Sequence, residues 1–241
     1  MAFAEKAIRC PIISAVLDAA MKPKKQSKGI KGRGASKKSD ETRQRIFDAS
    51  IELFRENGFG GVSVEDITKK SGTSVGSFYH HFESKDEVVL IFLQVTQEQD
   101  YEDYETTIMT SDEFAKKNEL ERLKDFLMFS TNANRAVGEE FLRVAISCML
   151  YSDSDYLAYK YFLDPERRFA VITKGLIRSG QEAGFIRTDM SVDEVFEIIE
   201  VFVNGLEERW FLSRGEQPSI QVVSDLLDDF LYRMLTSRDL A

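Results

Sequence analysis

The chain has 241 residues, 43% of them hydrophobic and 30% charged, with a formal net charge of −9. That is ordinary for a soluble globular protein, and it is long enough for one large domain or two small ones. No apolar run approaches the roughly 20 residues of a membrane-spanning helix, and two cysteines, Cys10 and Cys148, give no disulfide framework and fit a reducing cytoplasm.

The charge is unevenly spread: +7 over residues 1–40, −1 over 41–85 and −15 over 86–241. A polyanion is attracted by the first segment, tolerated by the second and repelled by the third. Residues 1–20 resemble a signal peptide only faintly, because Asp18 interrupts the apolar part. They read as an extension, or as a start placed too early, with Met21 the alternative. Lys22 to Lys38 holds eight basic residues, five glycines or serines and no acid. Such a composition buries no core, so residues 1–38 are expected to form a disordered basic arm.

A helical period begins at Glu41. Ile46, Ala49, Ser50, Leu53 and Phe54 share one face, and Asn57-Gly58 closes the helix. Ser63, with Asp66 three residues on, starts a short helix that places Ile67 inward and ends at Ser71-Gly72. Ser74 caps a third helix with Val75, Phe78 and Phe82 on its inner face. Ser84 and Glu87 form a capping box for a long fourth helix. Further on, Leu120, Leu123 and Leu127 share a face. Asp164-Pro165 reads as an N-cap with proline at the first helical position of a helix closing at Gly184. Ser191 and Glu194 box another helix, carrying Val195, Ile199, Phe202, Leu206 and Trp210. Gly215 and Pro218 break the chain before a last helix with Val223, Leu227, Phe230 and Met234. No alternating run asks for a sheet. The fold class is all-α: a helix-turn-helix domain over 39–93 and a larger helical domain over 94–241.

Two short helices joined by Ser71-Gly72-Thr73 behind a support helix form a helix-turn-helix. The residues Thr42, Ile46, Ala49, Leu53-Phe54, Gly58, Ile67, Gly72, Ser74, Gly76, Phe78-Tyr79-His80-His81-Phe82 and Ser84-Lys85-Asp86 resemble the TetR family of bacterial transcription regulators over about 50 residues. Thr68 and Thr73 depart from the usual alanine and valine. The resemblance implies that Tyr79 and Lys85 meet phosphates and that Ser77 and His80 lie near base edges or backbone. By the same resemblance Thr42, Ser63 and Val64 match helix starts that touch the DNA backbone, and Thr73, Ser74 and Val75 are further candidates for the DNA-binding surface. His81 is assigned either to this surface or to packing against a neighbouring helix. Phosphate contacts position and base contacts specify.

The expected function is that of a ligand-responsive regulator, a repressor released from a palindromic operator in double-stranded DNA by a small apolar or aromatic effector. Two recognition helices of a homodimer would lie about 34–36 Å apart. Val195, Ile199, Leu206, Val223, Leu227, Phe230 and Met234 are the candidate dimer contacts. Phe126, Phe129, Phe141, Met149, Tyr151, Tyr159, Phe162 and Phe202 are candidates for the effector pocket wall, each also readable as plain core. The alternative is a DNA-binding module that is constitutive or switched by a protein partner. An enzyme is not expected. "GIKGRG" at 29–34 lacks Walker spacing, no G-x-S-x-G is present, and Cys148 sits in the apolar run "VAISCML". No catalytic residue, cofactor or membrane partner is expected. No metal is expected either, because adjacent His80 and His81 diverge by about 100° on a helix.

Overall fold

The computed structural model describes residues 33–151, 164–212 and 218–236. Among these, every regular element is helical. α1 is Arg33–Asn57, α2 Val64–Ser71, α3 Val75–His81 and α4 Lys85–Asp103, which runs into one π-helical turn, Tyr104–Ile108. Then come α5 (Asp112–Ala115), α6 (Glu119–Val137), α7 (Glu139–Tyr151), α8 (Arg168–Glu182), α9 (Val192–Leu212) and α10 (Ile220–Phe230), the last continuing into a π-helical turn at Leu231–Leu235. No helix among the described residues is long and apolar enough to cross a membrane.

The contacts divide the chain into two compact units, Met1–Gln97 with Glu140–Leu163, and Glu98–Glu139 with Asp164–Ala241. The division expected at residue 93 differs from this in two respects. The first unit runs on to Gln97, and α7, expected in the second domain, belongs to the first unit from Glu140 onward. Phe141 is buried there against Phe92, ring centres 5.1 Å apart, and Glu140 Oε1 accepts the Phe59 N–H at 2.5 Å.

In the first unit, Ile46, Ala49, Ser50 and Phe54 form the buried face of α1. The helix begins at Arg33, inside the stretch expected to be an arm. Once a buried face has nucleated a helix, each added residue costs little, and Thr42 Oγ1 donates to the Lys38 carbonyl at 2.9 Å. Gly58, at φ 75°, ends α1 in the left-handed conformation and donates to Phe54 O at 2.9 Å. The start of α4 differs slightly from a closed capping box. Ser84 Oγ accepts the Glu87 N–H at 3.2 Å, but the Glu87 carboxylate takes the N–H of Glu83.

The second unit is built on a cluster of packed rings. Phe126 lies 5.7 Å from Phe169 and 5.1 Å from Tyr104, and Tyr104 lies 4.7 Å from Phe129. Leu123, Leu127, Ile177, Val195, Ile199 and Leu227 close round them. α8 begins at Arg168 rather than at Pro165. Asp164 instead organises a local turn: its carboxylate accepts the Glu166 N–H at 2.9 Å and its carbonyl the Arg167 N–H at 3.1 Å. Arg167 stays extended, with its guanidinium on Glu200 and over the Phe169 ring at 5.6 Å.

The expected dimer residues need correction. Val195, Ile199, Val223 and Leu227 are sealed inside the subunit's own core, so they offer nothing to a second copy. Leu206 and Phe230 pack against that core, Phe230 stacking on Phe202 at 3.9 Å. Met234 is exposed, with Val201, Ile220, Val222 and Leu226. The helices are apolar on two sides, and the outer side is the available one.

The end of α8 is packed closely. A side chain at Gly180 would place Cβ 2.6 Å from Ile186 Cδ1. Gly180→Ala is therefore expected to destabilise the protein by about 1–3 kcal/mol, and adding Ile186→Val should recover part of the loss. Urea unfolding checks this, and an unchanged midpoint for Gly180→Ala would refute the close approach.

Candidate nucleic-acid interface

The site rests on α2, a three-residue turn and α3. Ser63 Oγ accepts the Asp66 N–H at 3.1 Å, and the Asp66 carboxylate accepts the Ser63 N–H at 2.9 Å, so the box at the start of α2 is closed on both sides. Acids stand in its first turn and Lys69 and Lys70 in its last, matching the helix dipole. Gly72, at φ 64°, takes the left-handed conformation, and the Thr73 N–H returns to Thr68 O at 2.9 Å. Ser74 Oγ then accepts the Ser77 N–H at 3.1 Å to start α3. Ile67, Phe78 and Phe82 are buried and fix the underside.

Apart from His81, the remaining side chains of α3 face outward. Tyr79 is 58% exposed and Val75 37%. Ser74, Gly76 and His80 are also exposed, and Ser77 is half-buried. Val75 thus departs from the expected inner face, which Phe78, His81 and Phe82 make instead at i, i+3 and i+4. From Ile67 to Phe82 the sequence holds no acid, so this outer face carries no fixed charge opposing a polyanion.

Two residues assigned to DNA are turned inward. The Lys85 ammonium donates to Val62 O at 2.5 Å and to Phe59 O at 3.1 Å, and lies 4.5 Å from the Phe59 ring centre. It satisfies carbonyls of the α1–α2 connection rather than a phosphate. His81 is buried, edge-on to His80 at 5.0 Å. Burial holds its pKa below the ordinary 6.5, and His80 and Arg43 add to the effect. Of the two roles open to it, packing is the one the structure gives.

The hydroxyls expected to touch the backbone are bonded within the protein. Thr42 lies inside α1 rather than at its start, where its Oγ1 donates to Lys38 O; Ser63 Oγ bonds Asp66 as the cap of α2; and Thr73 Oγ1 pairs with Ser71 Oγ at 2.8 Å in the turn. Val64 is half-buried. Arg45, which the sequence reading passed over, is exposed and reaches the Ser71 carbonyl at 3.4 Å, beside the turn. Its signal was a basic residue one position from the buried stripe of α1.

The expected pocket residues are only partly brought together. Phe126 and Phe129 share the ring cluster of the second unit and Phe202 packs on its edge, whereas Phe141 belongs to the first unit. Tyr159 and Phe162 lie outside the described residues, as do the side chains of Met149 and Tyr151. Polar groups run through that apolar cluster. Tyr101 Oη and Ser130 Oγ are 2.8 Å apart, and one turn further along α6 Asn134 Nδ2 donates to Glu207 Oε1 at 2.5 Å. Burial pushes Glu207 up to about 7, against the opposing pull of Asn134 and Arg135. The buried hydroxyls of Tyr104, Thr131 and Thr173 have no hydrogen-bond partner among the described residues. No group of three potential metal ligands occurs among the described residues.

Lys85→Met keeps the stem and removes the donors, stranding the Val62 carbonyl and leaving that of Phe59 only the long bond from the Val62 N–H. A loss of about 1–3 kcal/mol is expected, read as a lower thermal midpoint with little change in nucleic-acid affinity at low temperature. An unchanged midpoint with weakened, salt-sensitive binding would return the lysine to a phosphate. His81 gives a pH signature. Its folded pKa is depressed, so the unfolded chain binds the proton first. Stability is full above pH 6.5 and falls as pH drops below that through the lowered folded value. His81→Leu should flatten that part of the stability curve, and an unaltered slope would show that the ring titrates normally.

Residues 46–90 match the family described as bacterial regulatory proteins, tetR family. Over 189 residues the chain is 29% identical to the HTH-type transcriptional repressor DhaR of Mycobacterium sp. (strain GP1), covering 78% of this chain and 92% of that one. Its fold is similar to that of Thermus thermophilus FadR in complex with lauroyl-CoA, with a TM-score of 0.64 at 19% identity, covering 83% and 98% of the two chains. Bacillus subtilis FadR with stearoyl-CoA gives 0.58 at 19%, covering 78% and 97%. With the helix-turn-helix in place and its reading helix exposed, residues 46–90 form a domain of the kind described for the TetR family of bacterial regulatory proteins.

Proposed function

We propose that this protein is a homodimeric DNA-binding transcription regulator, a repressor that leaves a palindromic operator when a small ligand binds its second unit. The observation that carries the reading is the outer face of α3. It is acid-free, held rigidly from below by Phe78 and Phe82, and exposes Tyr79 and His80 beyond any need of the fold. Such rings in a soluble protein are matched by a partner with stacked bases and phosphates. The name of DhaR supports repression as the sign of control.

The dimer reading is supported by apolar side chains that the subunit leaves uncovered. Val201 on α9 is 73% exposed, and Ile220, Val222 and Leu226 on α10 are exposed as well. A two-fold axis brings one such patch onto its copy, and two reading helices then address sites about 34 Å apart. The effector reading is supported by the buried hydroxyls of Tyr104, Thr131 and Thr173, which have no hydrogen-bond partner among the described residues. A buried polar group without a partner costs about 1–3 kcal/mol, and a ligand with an apolar body and a hydrogen-bonding group would relieve part of it. The acyl-CoA complexes of the two FadR neighbours are ligands of that general build. Ligand and DNA then oppose each other by their differential affinity for two dimer states.

The test is selection of duplexes from a randomised pool by the purified protein. Enrichment of a palindrome is expected, and failure to enrich any sequence would refute the reading. Leu226→Glu should sediment as a monomer and lose most of its affinity for the full site. A dimer that survives this change would place the interface elsewhere.

A further inference from the structure

A carboxylate drawn into a protein gives up hydration that only a cation or several donors replace. Half-buried carboxylates of the second unit follow this rule. Glu119 pairs with Arg122, Asp125 with Lys117 and Glu200 with Arg167. Glu207 on α9 is also half-buried, but it accepts one neutral donor, Asn134 Nδ2 on α6, and has no ion-pair partner among the described residues. Arg135 pulls on it only from a distance. The Arg135 guanidinium is held elsewhere, donating to Pro218 O at 2.9 Å and lying 5.9 Å from the Trp210 ring centre.

Spare acceptors and ring faces meet at the same place. Thr131 stands one turn before Asn134 on the buried face of α6, and its hydroxyl has no partner among the described residues. Ser130 on that face meets the Tyr101 hydroxyl at 2.8 Å. Burial above all holds the Tyr101 phenol above its ordinary value, and the nearby Glu207 carboxylate adds to the effect. The Tyr101 ring lies 5.5 Å from Phe126 and 6.4 Å from Phe129. Glu207 keeps some accessible surface although burial pushes its carboxyl up to about 7. A carboxyl that is both desolvated and reachable lines a recess rather than a sealed core. We propose that this recess receives the cationic head of the effector, a protonated amine or quaternary ammonium, with Glu207 as its counter-ion and the apolar body against the rings of Tyr101 and Phe129. This rests on the reading of the second unit as ligand-binding and adds the chemical class of the ligand. A cation supplies the charge that Glu207 lacks, and ring faces attract it further. An anionic head would stand against a like charge, and a neutral one would leave the carboxylate unpaired.

Three probes with one body and different heads test this: phenylbutylamine, phenylbutanol and phenylbutyrate, titrated calorimetrically into the full chain without DNA. At about pH 8 the amine should bind roughly tenfold or more tightly than either other probe. Its affinity should rise roughly tenfold from about pH 6 to about pH 8, because a proton on Glu207 competes with the cation. Asp100 on α4, held up to about 6 chiefly by burial, titrates in the same range. Glu207→Gln therefore completes the test: it keeps the shape and should abolish both the preference for the amine and the slope with pH. Equal affinity for the three heads, or preference for phenylbutyrate, would overturn the proposal. So would an amine preference that survives Glu207→Gln. Should the variant not fold, the ranking of heads in the wild-type protein still decides. If none of the three binds at millimolar concentration, the ligand-binding reading of the second unit falls together with the proposal, whereas binding without amine preference sinks the proposal alone.

Discussion

Helices of seven and eight residues do not hold their shape in water alone, and both members of the helix-turn-helix are that short. Their conformation is imposed at the ends and from below. Ser63 with Asp66, Gly72 and Ser74 fix where each helix starts and stops. Ile67, Phe78 and Phe82 fix which side is down, and all three are almost wholly removed from water. Once those positions are committed, the outward residues of α3 are free of structural duty. Tyr79 and His80 are presented to solvent by a backbone they do not help to hold.

The same demand draws in residues whose type suggests an outward role. The connection between α1 and α2 leaves the carbonyls of Phe59 and Val62 turned toward the start of α4, and Lys85 supplies their donors. A lysine suits this because its long apolar stem lies on the Phe59 ring while the ammonium reaches the carbonyls. His81 stands with Phe78 and Phe82 on the buried stripe, at i, i+3 and i+4. In both cases local bookkeeping of donors and burial outranks the chemistry a reader associates with the residue.

Legibility in the sequence follows from how local each determinant is. Caps and turns are decided within four residues. Ser63–Asp66, Gly58, Gly72, Ser74 and Ser191–Glu194 could therefore be read directly, and with them the order of the first helices. What depends on a distant partner was not readable. Asp164-Pro165 has the form of a helix start, yet the chain first turns and holds Arg167 extended against Glu200. α9 and α10 are apolar on two sides, and periodicity cannot tell which side meets the subunit's own core. Val195 and Leu227 face in while Val201 and Leu226 face out, a distinction made only by what lies against them. α7 reads as one more apolar helix, and its membership in the first unit rests on Phe92 and Phe59, some fifty and eighty residues earlier.

The acidic total of the chain raises an electrostatic question that the distribution of charge answers. At physiological salt, exposed charges farther apart than about 8 Å are largely screened from one another. A bound polyanion therefore responds to the charge close to it, and the stretch from Ile67 to Phe82 offers lysines, histidines, hydroxyls and no acid. Unscreened at low salt, the −15 carried by residues 86–241 slows the approach of a polyanion, and that repulsion loses force as salt rises. Salt also weakens the phosphate contacts that hold the complex, so the two effects oppose each other. Affinity in such a protein depends less on total charge than on keeping acids out of one short helix and its approaches. That leaves steric fit along α3, from Val75 to His80, as the term that salt does not touch.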